Sequence, residues 1–124
     1  IMAEHNELRN LAKNLAADFL KQKNYKILIR NFRYQRAEVD IIAEFEDLIV
    51  VIEVKARSYN ALIEPQEAVT KKKIKAILLC SDFFMKENQI DKEVRFDIIT
   101  VVPNESGKLE INHIEDAFQS FDAN

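Results

Sequence analysis

Two carboxylates and an ammonium interrupt runs that otherwise read as buried sheet: Glu38-Val39-Asp40-Ile41-Ile42, then Val50-Val51-Ile52-Glu53-Val54-Lys55. The neighbours are β-branched and apolar, as in strands that bury at least one face. Side chains alternate along a strand, so Glu38, Asp40 and Ile42 share one side, as do Glu53 and Lys55. A four-residue hairpin loop over 44–47 pairs Ala43 with Leu48, Asp40 with Val51 and Glu38 with Glu53. Asp40 and Glu53 are then diagonal neighbours, roughly 7–8 Å apart at Cα, within reach of one cation. Such charges on a half-buried surface need a neutralising partner. Their hard anionic oxygens suit Mg²⁺ or Mn²⁺. A cation there lowers the pKa of bound water and offsets charge on an attacked phosphate, with Lys55 orienting that water or stabilising the pentavalent phosphorus. The alternative is a solvent-facing charge ladder on an edge strand.

The sharpest basic cluster is Lys71-Lys72-Lys73 with Lys75. A charge run at a helix start is usually a solvated face, yet cations near a helix N-terminus are mildly unfavourable, which points to phosphate contact. Arg57, just past the Glu53-Val54-Lys55 strand, is a candidate to extend this basic rim, and Tyr59 either joins it or is simple loop packing. Glu38 is either an auxiliary acid or the partner of Arg36 or Arg57. Arg95 and Asp97 flank Phe96 and share a face, which favours a buried structural pair. His5 and His113 lie near opposite ends without zinc-ligand spacing. No glycine-rich loop is present, which excludes P-loop and dinucleotide-binding enzymes.

These residues must be positioned by a chain of 124 residues, 48% hydrophobic and 31% charged, which is enough for one domain with its own core. No apolar run suits a membrane span and no signal-peptide core is evident, so the expected location is cytoplasmic. The lone Cys80 reads as a packed core thiol. With a net charge of −3, nucleic acid must be held by a local patch. Apolar spacing predicts a helix over 6–23 capped by Asn6, strands over 25–34, 38–45 and 48–57, and a loop over 60–67 carrying Pro65. A second helix follows from Glu67 to about Lys86, then a strand over 94–102. A turn at Asn104-Glu105-Ser106-Gly107 leads into a strand over 108–113, and a short terminal helix spans 114–121. The order α-β-β-β-α-β-β-α predicts an α/β domain, a mixed sheet of about five strands flanked by helices.

An Asp, a hairpin spacer and Glu-x-Lys, here Asp40 and Glu53-Val54-Lys55, resemble the core pattern of the PD-(D/E)XK nuclease superfamily. More closely, the chain resembles the YraN-like family of predicted endonucleases, related to Holliday junction resolvases. The resemblance covers roughly residues 6 to 102. It is carried in order by Ala16-Ala17-Asp18-Phe19-Leu20, Tyr25-Lys26-Ile27-Leu28 with Arg30-Asn31, Ala37 to Ala43, Val51 to Arg57, Glu67-Ala68-Val69-Thr70 with Lys73, and Arg95 to Ile99. It implies a restriction-endonuclease-like fold and a metal-dependent endonuclease acting on DNA, including branched or single-stranded forms. It also implies Asp40 and Glu53 as metal ligands, and Asp40, Glu53 and Lys55 as catalytic residues. Lys73, Lys71, Arg57 and Lys13 become the nucleic-acid contacts, and a homodimer is compatible with the reading. One departure stands out. Where the family begins its first helix Gly-x-x-Gly-Glu, with the Glu joining the metal site, this chain has Arg9, Ala12 and Lys13. The alternative is therefore a catalytically impaired nucleic-acid-binding module of the same fold.

Overall fold

The computed structural model describes residues 2–57 and 69–124, with the side chains of 2–5 left out. Helix α1 (Met2–Gln22) leads into strands β1 (Lys26–Tyr34), β2 (Ala37–Phe45) and β3 (Leu48–Ala56). Helix α2 (Lys71–Glu87), strands β4 (Glu93–Pro103) and β5 (Leu109–Phe118) and a 3₁₀ turn (Ser120–Ala123) complete the order. The five strands form one sheet in sequence order, antiparallel except for the parallel β3–β4 pair. That parallel pair follows from the crossover through α2. Strand β3 sorts the core: Ile49 and Val51 pack with α2, while Val50 and Ile52 pack with α1. The helices therefore cover opposite faces, and β3 has the near-continuous apolar run that such burial requires. This single α/β sheet domain is consistent with the restriction-endonuclease-like architecture. Among the described residues, no helix is long and apolar enough to cross a membrane.

Several expected boundaries change. Helix α1 begins at Met2, so Asn6 lies inside it and does not cap it. Helix α2 begins at Lys71 behind Thr70, whose hydroxyl accepts the Lys73 N–H at 3.1 Å. The 60–67 loop, Tyr59 and the expected helix start at Glu67 fall outside the described residues. The hairpin loop is the two-residue Glu46-Asp47, since Phe45 pairs with Leu48 and Ile41 with Ile52. Glu46 adopts φ 55°, so the tighter turn is accommodated by a left-handed residue. The register thus moves by two, which preserves alternation, and the expected Glu38–Glu53 and Asp40–Val51 pairings do not occur. Cys80 is fully buried, as expected.

The expected terminal helix is instead the second half of β5. Ile114, Ala117 and Phe118 lie at spacings of three and four, which mimic a helix, yet they pack on the α2 side of the sheet. A register shift in the β4–β5 ladder and a left-handed Asp116, φ 53°, reset the alternation and produce that spacing. The Asp97 carboxylate accepts the Asp116 N–H at 2.9 Å, which anchors the irregularity. Only the 3₁₀ turn follows. The hairpin before β5 is as expected: Asn104 Oδ1 accepts the N–H groups of Ser106 and Lys108, and Gly107 takes φ 84°.

Asp97 is fully buried and heavily served. Arg95 donates to both its oxygens at 2.9 and 2.8 Å, which makes this a structural pair. Lys23 Nζ lies 2.9 Å from His113 Nδ1, and an ammonium can only donate. The neutral ring therefore carries its proton on Nε2 and donates it to Asp97 at 2.7 Å. Burial works to raise the Asp97 pKa, but the bonds from His113, Arg95 and Asp116 outweigh it and hold the carboxyl below its ordinary value. Asp97→Ala should lower the unfolding free energy by about 3 kcal/mol in urea denaturation, because Arg95, His113 and the Asp116 N–H lose their shared buried acceptor. A depressed acid contributes stability above its unfolded pKa of about 3.9 and loses it as pH falls through the lower folded value. The wild type should therefore destabilise more steeply with acid than Asp97→Asn.

Candidate active site

Beyond Ile41 and Ile52 the β2–β3 backbone ladder stops, and a side chain continues it. Val54 N–H donates to Asp40 Oδ2 at 2.7 Å. Asp40 also marks a change of side within β2, since Val39 packs with α2 and Ile41 with α1. Strict alternation from 38 to 42 therefore fails. The opening is a cleft of about 470 Å³ lined by both helices and both strands. It contains the cations Arg9, Lys13, Lys55, Arg57 and Lys73 and the acids Glu38, Asp40 and Glu53.

Each of the two inner acids meets a lysine from a different helix. Lys13 of α1 lies 3.4 Å from Asp40 Oδ1 and donates to Asn31 Oδ1 at 3.0 Å. Asn31 holds φ 54°, a left-handed conformation that Asn tolerates better than most residues. Lys73 of α2 lies 3.5 Å from Glu53 Oε2. Glu53 is 2% exposed and its Oε1 has no hydrogen-bond partner. Burial, then the Asp40 carboxylate, pushes its pKa up to about 7, against the opposing pull of Lys73 and Lys55. Burial lowers the Lys55 pKa, with Glu53 opposing that shift and Lys73 adding to it.

The structure gathers Asp40, Glu53, Lys55, Lys13, Arg57 and Lys73 at one cleft, while Lys71 is exposed outside its lining. Glu38 lines the cleft, but its ion partner is Arg33 across the β1–β2 ladder at 3.1 Å, and not Arg36 or Arg57. Sequence reasoning missed Arg9 as a cleft cation. The available signal was its i, i+4 spacing to Lys13, which puts both on one helix face. Asn31 carried no comparable signal, because its role depends on a backbone irregularity. The described residues contain no group of three or more His, Cys, Asp or Glu side chains suited to a metal.

The model of the uncharacterised protein family UPF0102 matches residues 12–101, which take in β1, β2, β3, α2, all but the last two residues of β4 and every cleft-lining residue except Leu8 and Arg9. This chain belongs to the UPF0102 family. A UPF0102 protein of Christiangramia forsetii is 44% identical over 97% of this chain and 100% of its own. One of Bacteroides thetaiotaomicron is 46% identical over 94% of this chain and 96% of its own. Another, from Flavobacterium psychrophilum, is 42% identical over 97% and 100%.

Glu53 gives the cleft a pH signature. Between about pH 4.5 and 7 the native carboxyl holds a proton that the unfolded chain releases, so stability falls as pH rises through this window. The penalty at pH 8 is on the order of 3 kcal/mol. Glu53→Gln should be more stable than wild type at pH 8 and should flatten the dependence between pH 5 and 8. Thermal melts across that range check this, and equal slopes for the two proteins would refute it.

Proposed function

We propose that this chain is a Mg²⁺- or Mn²⁺-dependent endonuclease that hydrolyses phosphodiester bonds in DNA, with branched or single-stranded forms among its substrates. The observation that carries the reading is the buried Glu53 carboxylate. Its Oε1 is unpartnered, and it stands with Asp40 and Lys55 in a cleft lined by cations. A buried acceptor left open costs about 1–3 kcal/mol or more, so an oxygen of this kind fits a ligand that arrives from outside. Two carboxylates are few for an all-protein metal cage. They suit Mg²⁺, which is commonly held by one or two carboxylates with substrate phosphate oxygens and waters completing the shell.

Asp40 and Glu53 would hold the cation, which supplies Lewis acidity and a bound water of lowered pKa. Lys55 has its pKa lowered chiefly by burial, which suits it to orient the attacking water or to stabilise charge on the attacked phosphorus. Arg9, Arg57 and Lys73 offer cations to the flanking phosphates, and Lys71 extends this surface from outside the cleft. Asp40 is fixed by the Val54 N–H, so its orientation does not depend on a ligand. The Lys13–Asp40 contact favours a second reading, a nucleic-acid-binding module of the same fold in which a lysine stands where a cation would bind.

Cleavage of a panel of duplex, branched and single-stranded DNA and of RNA, with Mg²⁺, Mn²⁺ or chelator, separates the two. The endonuclease reading expects metal-dependent cleavage that falls by at least about 10²–10³-fold in Lys55→Met and in Asp40→Asn. Salt-sensitive binding without cleavage under any metal would instead establish the binding module. Lys13→Glu exchanges a repelling ammonium for a possible ligand, so Mn²⁺ affinity by calorimetry should rise and be lost again on adding Asp40→Asn. Unchanged affinity in Lys13→Glu would place residue 13 outside the metal's influence.

A further inference from the structure

Lys13 and Lys73 approach the cleft from opposite faces of the sheet, and each faces a carboxylate that the proposed metal would also engage. Their separations of 3.4 and 3.5 Å are longer than the roughly 2.7–2.9 Å of a charge-assisted hydrogen bond. These are electrostatic contacts that can be exchanged. We propose that Lys13 and Lys73 are reserve phosphate ligands, held by Asp40 and Glu53 until those carboxylates are neutralised and then transferred to a nucleic-acid backbone. Cation binding and polyanion binding in the cleft therefore reinforce each other. The inference deepens the endonuclease reading and rests on it for the identity of the neutralising cation.

Both lysines are placed for such a transfer. Lys13 remains hydrogen-bonded to Asn31 when Asp40 releases it, so its ammonium stays at the cleft wall. Its side chain is 21% exposed, partly open to an incoming anion. Lys73 has its backbone anchored by the Thr70 cap, while its side chain is 38% exposed and rises from the first turn of α2. Asp40 and Glu53 would hold a divalent ion, whose charge would offset theirs and weaken their hold on both ammoniums. A phosphate backbone then offers each a new anionic partner. Linkage is reciprocal: the factor by which the cation tightens polyanion binding equals the factor by which the polyanion tightens cation binding.

The test is a double-mutant cycle read by binding. A non-cleavable phosphorothioate DNA duplex is titrated in chelator at pH 8 across a range of salt concentrations against wild type, Asp40→Asn, Lys13→Gln and the double variant. The Glu53→Gln and Lys73→Gln pair is treated in the same way. Asp40→Asn should steepen the salt dependence by about 0.9 in log–log slope, because Lys13 gains a phosphate. The same substitution should leave the slope unchanged when Lys13 is already Gln. An equal change in both backgrounds would mean simple relief of repulsion and would overturn the proposal. In wild type, Mn²⁺ should tighten duplex binding by at least about fivefold, and the duplex should tighten Mn²⁺ binding equally. Absence of Mn²⁺ binding would sink the metal-dependent reading while the chelator cycle still decides the lysine transfer. Should Glu53→Gln fail to fold, the Asp40 cycle alone decides it.

Discussion

Glu53 continues the row that Ile49 and Val51 begin on β3, and a carboxylate in a row of buried aliphatic side chains must be compensated by its surroundings. Desolvation raises its pKa, the neighbouring Asp40 raises it further, and Lys73 and Lys55 oppose both. The elements around the cleft are arranged accordingly. Helix α2 starts where its third residue can reach Glu53, with Thr70 capping that turn. Helix α1 brings Lys13 to Asp40, and β2 gives up its backbone pairing so that Asp40 accepts from Val54. Even so, one Glu53 oxygen remains open.

Asp97 is an instructive contrast within the same sheet. It is as buried as Glu53, yet Arg95, His113 and the Asp116 N–H serve it. Its charge is therefore favoured, while that of Glu53 is disfavoured. Two buried acids on adjacent strands thus have opposite electrostatic characters. The saturated one ties β4 to β5 and, through His113 and Lys23, to the end of α1. The unsaturated one opens on a cleft, and chemistry needs a group that is still able to bind something.

Backbone irregularities do much of the positioning. Asn31 in β1 and Asp116 in β5 adopt left-handed conformations, and ladder shifts accompany both edge strands. Such features blunt the edges of the sheet against pairing with other chains. They also aim polar groups: Asn31 holds Lys13, and Asp116 gives its N–H to Asp97.

The order of helices and strands up to β4, the inward row of β3 and the membership of Asp40, Glu53 and Lys55 in one group were legible in the linear chain. Alternation and apolar periodicity are local properties, and a register error of two residues leaves Glu53 and Lys55 on their own face, while Asp40 joins them in the cleft although the alternation of β2 breaks there. The exchange of helix for strand at 114–118 shows where that logic ends. A bulge converts spacing of two into spacing of three and four, and only the Asp97 carboxylate on a neighbouring strand reveals the bulge. The same holds for the site. Residue types announced two acids and several cations, but which lysine meets which acid, Glu38 turning to Arg33, Arg9 joining the cleft and the open oxygen of Glu53 all depend on elements distant in sequence. Burial and pairing are relations between segments, so the electrostatic state of these groups was decided only when the two helices closed over opposite faces of the sheet.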